Sequence, residues 1–202
     1  MTTFDKLAEL FRQFPGIGPR QAKRFVYFLL SCKPSQLQEL VECISTLKRD
    51  IVQCTLCHRF FARRGAASLC PICADKSRAT GELMVVAKDT DLDAMEKSKM
   101  YGGRYFVLGG TIALTERKNG EALRMNELLS FVEAKAKNGE LKEVILALSA
   151  NPDGEHTADE LKVLLAPLSV KVSTLGRGLS TGSELEYADK ATLASAFMNR
   201  SS

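Results

Sequence analysis

Four cysteines carry the most specific chemistry in this chain. In CTLCHRFFARRGAASLCPIC they are Cys54, Cys57, Cys70 and Cys73, spaced C-x2-C-x12-C-x2-C. A C-x2-C turn brings two sulfurs within reach of one ion, and two such turns facing each other make a tetrahedral all-sulfur site. Zinc suits four soft thiolates because it needs no redox chemistry. A closed set of four leaves no position for a substrate, so one structural zinc ion per chain is expected. Arg59, Arg63 and Arg64 would offset the surplus negative charge. His58 adjoins a ligand but is surplus to a complete set, and a redox C-x2-C pair is the competing reading. Cys32 and Cys43 fall in helical patterns and read as small buried residues.

A second constellation has the makings of a phosphate grip. Residues 14–25 read FPGIGPRQAKRF, a break between two helical patterns followed at once by three cations. Gly16 and Gly18 permit positive φ and let a phosphate approach backbone N–H groups. Pro19 is placed to open the second helix, whose N-terminus carries partial positive charge. Arg20, Lys23 and Arg24, at i, i+3 and i+4, share one face beside it. Such contacts hold a nucleic-acid backbone without reading its sequence. The alternative is a tight helix–helix turn with a solvated basic face.

The third candidate is acidic. In NPDGEHTADE, Asp153 and Glu155 follow the strand EVILAL (143–148), expected on a loop beyond a carboxyl end, where α/β domains place functional sites. Two carboxylates there could hold Mg2+, or be only solvated. GRGLSTG (176–182) lacks the G-K-[ST] of a nucleotide-binding loop, so no ATPase follows from it.

The elements that must position these residues are legible from periodicity. Phe4, Leu7, Ala8, Phe11 and Phe14 form one helix stripe, and a second helix spans about 19–30 with Ala22, Val26 and Leu29 on its apolar side. Ser35 and Gln38 suggest a capping box for a third, whose stripe is Leu37, Leu40, Val41, Ile44 and Leu47. Strands at 83–87, 105–108, 143–148 and 170–174 alternate with helices near 92–95, 124–137 and 158–165, which predicts a mostly parallel sheet covered on both faces. A last helix is expected over 188–198. Residues 1–64 hold eleven Lys and Arg against five Asp and Glu, so the basic excess sits in the N-terminal third. No apolar run is long enough to span a bilayer, and MTTFDKLAEL lacks a signal-peptide pattern, so a cytoplasmic protein with reduced cysteines is expected.

The order of parts resembles the RecR family of bacterial recombination mediators. FPGIGP (14–19), the doubled C-x2-C, VLGG (107–110) and LEYAD (185–189) carry the resemblance over essentially the whole chain. It implies an α/β chain divided into a helix–hairpin–helix DNA-binding domain (1–53), a four-cysteine zinc finger (54–78), a Toprim domain (79–174) and a C-terminal Walker B-like, oligomerisation segment (175–202). It further implies a non-catalytic, nucleoid-associated clamp, a homotetrameric ring on single-stranded, duplex or gapped DNA. This clamp would act with RecO and RecF to help load RecA at gaps. The family's basic hairpin positions fall on Arg20 and Arg24, and Lys23 is this chain's own addition. Toprim enzymes end their first strand on a glutamate acting as acid or base, with nearby acids for Mg2+. Here that stretch reads VVAKDTD, with Ala87 in the glutamate's place, Lys88 next, and Asp89 and Asp91 where capping is the plainer role. A Mg-dependent Toprim nuclease or strand-transfer enzyme using Asp153 and Glu155 is the alternative, and a zinc-stabilised scaffold indifferent to nucleic acid a third.

Overall fold

The computed structural model describes residues 1–114, 123–176, 178–179, 182 and 184–200, in two units, Met1–Val52 and Gln53–Ser202. Among the described residues, no helix is long and apolar enough to cross a membrane.

The first unit is three helices. Helix α1 (Thr3–Arg12) starts at a capping box, in which Thr2 Oγ1 accepts the Asp5 N–H and Asp5 Oδ2 accepts the Thr2 N–H. It stops two residues before Phe14, which therefore lies beyond the helix stripe and is exposed, its ring edge-on to Phe11. Helix α2 (Pro19–Ser31) packs on α1 through Ala8, Ala22 and Val26, with ring contacts Phe4–Tyr27 and Phe11–Phe25 at 5.0 and 5.6 Å. Helix α3 (Pro34–Asp50) begins at Pro34, which moves its cap to Lys33. The Lys33 N–H is taken by Gln36 Oε1, while Gln38 reaches Glu42, so the expected Ser35–Gln38 box does not form. No described side chain of α3 is fully buried: its stripe from Leu37 to Leu47 faces solvent, and Cys43, expected inside, is exposed with it. Cys32, just past α2, is half-buried.

Two short strands, β1 (Ile51–Gln53) at the boundary and β2 (Phe60–Ala62) in the second unit, bracket the first C-x2-C turn, and the short helix α4 (Pro71–Ala74) carries the last cysteine. Next come β3 (Glu82–Val86), α5 (Asp89–Ser98), β4 (Arg104–Val107), α6 (Met125–Lys137), β5 (Glu143–Ala147), α7 (Pro152–Leu165) and β6 (Lys171–Thr174). The tail ends in α8 (Lys190–Met198); Arg177, Ser180, Thr181 and Ser183 of the glycine-rich stretch lie outside the described residues.

The four long strands form one parallel sheet in the order β4-β3-β5-β6. Alternation sorts their side chains between two faces. Leu83, Val85, Phe106, Val144 and Leu146 pack with Leu128 and Val132 of α6 and Leu161 and Leu165 of α7. Met84, Val86, Tyr105 and Val107 pack with Leu92 of α5 and with Ile72 of the cysteine segment. Each buried aliphatic side chain contributes about 1.5–3 kcal/mol. The chain leaves β3 for β4 on one side and returns to β5 on the other, so a topological switch point lies at the carboxyl ends of β3 and β5.

Helix α7 begins earlier than periodicity suggested. Asn151 caps it by accepting the Gly154 N–H at 2.8 Å, and Pro152 occupies its first turn. Asp153 and Glu155 therefore sit in a helical first turn, not on a loop. A Cβ at Gly154 would come 2.0 Å from the Ser149 carbonyl oxygen, backbone that cannot swing away. Gly154→Ala is expected to destabilise the protein by about 1–3 kcal/mol, read as a lower midpoint in urea unfolding followed by circular dichroism.

Candidate nucleic-acid interface and metal centre

In the hairpin, only Gly16 uses positive φ, at 77°. The turn closes as the Ile17 N–H donates to the Phe14 carbonyl at 3.1 Å. Gly18 is extended, at φ −82° and ψ 171°, which any residue adopts. What it contributes is clearance: a Cβ there would meet nothing within 4 Å, and it has no side chain to cap α2. The first-turn N–H groups of α2 are thus open to an incoming anion, and Pro19 has none to satisfy. Arg20, Lys23 and Arg24 are exposed, and no carboxylate forms an ion pair with them among the described residues. Arg24 Nη1 donates to Gln21 Oε1 at 3.3 Å. The Thr2 hydroxyl draws the Asp5 carboxyl below its ordinary range, and Lys23 adds a smaller Coulombic pull.

The four cysteines converge as their spacing predicts. Their sulfurs all lie within 4.8 Å of one another, and all four are buried. The Cys70 N–H donates to Cys54 Sγ at 3.4 Å, and the Arg59 N–H favours the Cys57 thiolate. Hydrogen bonds from Cys57 and then Cys73 hold the Cys70 thiol well below its ordinary range. Cys57 is pushed up by its bond to Cys70, and Cys73 by its bond to Cys57. Crowded thiols that cannot all ionise side by side, and backbone donors aimed at sulfur, fit a cation at the centre. Arg59, expected to offset thiolate charge, also has a carboxylate partner. Its guanidinium pairs with Asp93 of α5 at 3.2 Å, and Arg63 and Arg64 are exposed.

The cysteine segment is bound to the sheet by backbone. The Val107 N–H donates to the Cys57 carbonyl at 2.8 Å, and the Phe60 N–H donates to Asp89 Oδ1 at 2.8 Å. His58, at φ 62°, sets its ring edge-on to Phe106 at 5.0 Å. Burial, and then the Arg124 charge, lower its pKa.

At the switch point, Ala87 follows directly on β3 and is buried, its carbonyl accepting the Gly109 N–H at 3.0 Å. Asp91 caps α5 by accepting the Lys88 N–H at 2.9 Å. Asp153 Oδ1 accepts the Leu114 N–H at 3.1 Å, and Thr157 Oγ1, donating to the Asp153 carbonyl, accepts the Ile112 N–H at 2.8 Å. These two residues hold the segment after β4. Glu155 lines a different space, a cavity of about 350 Å³ shared with Asp189, Thr192 and Ser195. Asp189, the last residue of LEYAD, caps α8 by accepting the Thr192 N–H and hydroxyl at 3.0 and 2.7 Å. Periodicity did not reveal the Asp153 and Thr157 contacts, whose partners are about 40 residues distant. The Asn151-Pro152 pair was the available sign of an earlier helix start.

Three family models match parts of the chain, and relatives match nearly all of it. Residues 4–48 match the RecR helix-hairpin-helix family, 81–176 the Toprim domain family and 178–201 the RecR C-terminal family. Recombination protein RecR of Dehalococcoides mccartyi is 38% identical over 196 residues, covering 97% of this chain and 92% of that protein. The proteins of the same name from Chloroflexus aggregans and Moorella thermoacetica are 40% and 39% identical, each over at least 96% of this chain and at least 91% of their own length.

Removing the Asp153 carboxylate should free one backbone donor without touching the cysteines. In Asp153→Ala, amide hydrogen exchange at Leu114 is expected to quicken about ten-fold, with bound metal unchanged by elemental analysis.

Proposed function

The chain belongs to the RecR family of recombination proteins, and from that premise we propose that it is a non-catalytic DNA clamp that acts by holding backbone phosphate. Its role lies in recombinational repair. The single observation that carries the clamp reading is the hairpin, where an uncapped helix N-terminus and three exposed cations, none in an ion pair among the described residues, meet beside a glycine with no side chain. Positive potential and open N–H groups there complement phosphate and are blind to base sequence. Gly16 sets the turn, Gly18 clears the approach, and Arg20, Lys23 and Arg24 supply charge.

Self-association into a ring is supported by apolar surface at both ends of the chain. Ile44 on α3 is 65% exposed, and Phe197 on α8 is 70% exposed. Uncovered stripes of this kind are characteristic of subunit contacts. RecO and RecF as partners, and help in loading RecA at single-stranded gaps, follow from family membership and belong to the same proposal. So does the division into hairpin, zinc finger, Toprim domain and C-terminal segment.

Zinc is the ion the four-cysteine site would hold. Cys54, Cys57, Cys70 and Cys73 supply a complete soft donor set, and the ion would fix the fold of residues 54–73 rather than act on substrate. Non-catalytic action is supported by Ala87 in place of the strand-end acid and by the engagement of Asp89 and Asp153 with backbone N–H groups. DNA cleavage in Mg2+ that disappears with Asp153→Ala and Glu155→Ala would overturn it.

For the hairpin, Arg20→Ala with Arg24→Ala should leave circular dichroism unchanged and weaken binding to gapped duplex. The slope of log K against log salt should flatten by about 0.9 per lost phosphate contact; an unchanged slope and affinity sink the assignment. For the metal, Cys70→Ser should lower zinc content and the thermal midpoint together, measured by elemental analysis and calorimetry. Parent protein purified without chelator should carry one zinc per chain.

A further inference from the structure

A cavity at the opposite end of the Toprim sheet has features that the clamp does not use. It measures about 280 Å³ and lies at the amino ends of β3, β4 and β5, away from the switch point. Arg78, Arg104, Lys135 and Lys142 line it, against Glu82 and Glu140. Two of these cations are already matched. Arg78 pairs with Glu96 at 2.5 Å, and Lys135 with Glu140 at 2.7 Å.

Arg104 has no such partner. Its Nε is shielded from solvent and meets no acceptor, and its guanidinium forms no hydrogen bond or ion pair among the described residues. Asp75 and Glu140 feel the Arg104 charge through space, but their hydrogen bonds go to other groups. Glu140 accepts Lys135 Nζ and also Asn138 Nδ2 at 3.3 Å, while Asp75 accepts the Ser77 N–H and hydroxyl at 2.9 and 2.7 Å. A half-buried guanidinium with a shielded, unsatisfied donor is costly unless an acceptor arrives. Lys142 is exposed and unpaired among the described residues, so it adds a second positive charge to the same cavity.

We propose that this cavity is an anion site for a phosphate group, with Arg104 as its anchor and Lys142 as the second contact. A planar fork of N–H donors matches a tetrahedral oxyanion, and lysine contributes a point charge. At about 280 Å³ the cavity falls just under the usual range for ligand pockets. It suits a terminal phosphate with a small attached group, not a long polymer. Glu82, exposed among the lining residues, is the like charge that limits affinity. The group would come from a phosphorylated DNA end or from a free phosphate-bearing small molecule. The site is independent of the hairpin.

The test is a titration of the full chain with inorganic phosphate, followed by 31P NMR in phosphate-free buffer. Saturable binding is expected, weakened about ten-fold in Arg104→Gln, weakened less in Lys142→Gln and tightened in Glu82→Gln. Arg104→Gln removes no hydrogen bond found in the folded chain, so circular dichroism should not change. Arg20→Ala with Arg24→Ala should leave phosphate binding intact. Loss in that hairpin variant with none in Arg104→Gln would overturn this site while leaving the DNA grip standing. Linear, unsaturable binding would overturn it as well. A preference for 5′-phosphorylated over 5′-hydroxyl oligonucleotide that vanishes in Arg104→Gln assigns the source to DNA ends; saturable phosphate binding without that preference assigns it to a small molecule.

Discussion

Among the described residues, one backbone hydrogen bond ties the four-cysteine cluster to the edge of the sheet. Strand β4 is an edge strand, and the outward N–H of Val107 would be an unpaired donor beside the core. The Cys57 carbonyl satisfies it at 2.8 Å. That carbonyl is in place only if the cysteine turn is folded, and the turn is organised around the four buried sulfurs. Asp89 taking the Phe60 N–H and Arg59 pairing with Asp93 reinforce the same seam. Cysteine cluster, knuckle and sheet edge are therefore joined as one piece.

This seam alters what the carboxyl end of the sheet can do. In an open α/β sheet the switch point is where loops leave room for a ligand. Here three of the acids near it accept backbone N–H groups: Asp89 from Phe60, Asp91 from Lys88 and Asp153 from Leu114. A carboxylate used this way rigidifies its loop. The amino end of the sheet has the opposite polarity, with Arg104 lacking an acceptor while nearby carboxylates are occupied.

The helical unit follows a different logic. Ala8, Ala22 and Val26 bury enough to set α1 against α2, and the aromatic pairs complete that contact. Helix α3 buries nothing fully, although its apolar stripe is as regular as that of α1. Amphipathic spacing says that a helix has a face to cover but not what covers it. Cys43 shows the consequence, an expected core residue left at the surface.

Local chemistry made much of this protein legible before folding was considered. The C-x2-C spacing predicted the buried sulfur cluster, and the alternation of strands and helices predicted a parallel sheet covered on both faces. Pro19 and the glycines placed the hairpin break. These features are set within a few residues by dihedral preference, sulfur spacing and side-chain period. Tertiary structure alone decided the partners of Asp89 and Asp153, the unmet Nε donor of Arg104 and the separation of Asp153 from the cavity lined by Glu155. Each depends on a group tens of residues away. Whether a polar group is available or occupied is settled by which distant donor or acceptor the packing brings to it.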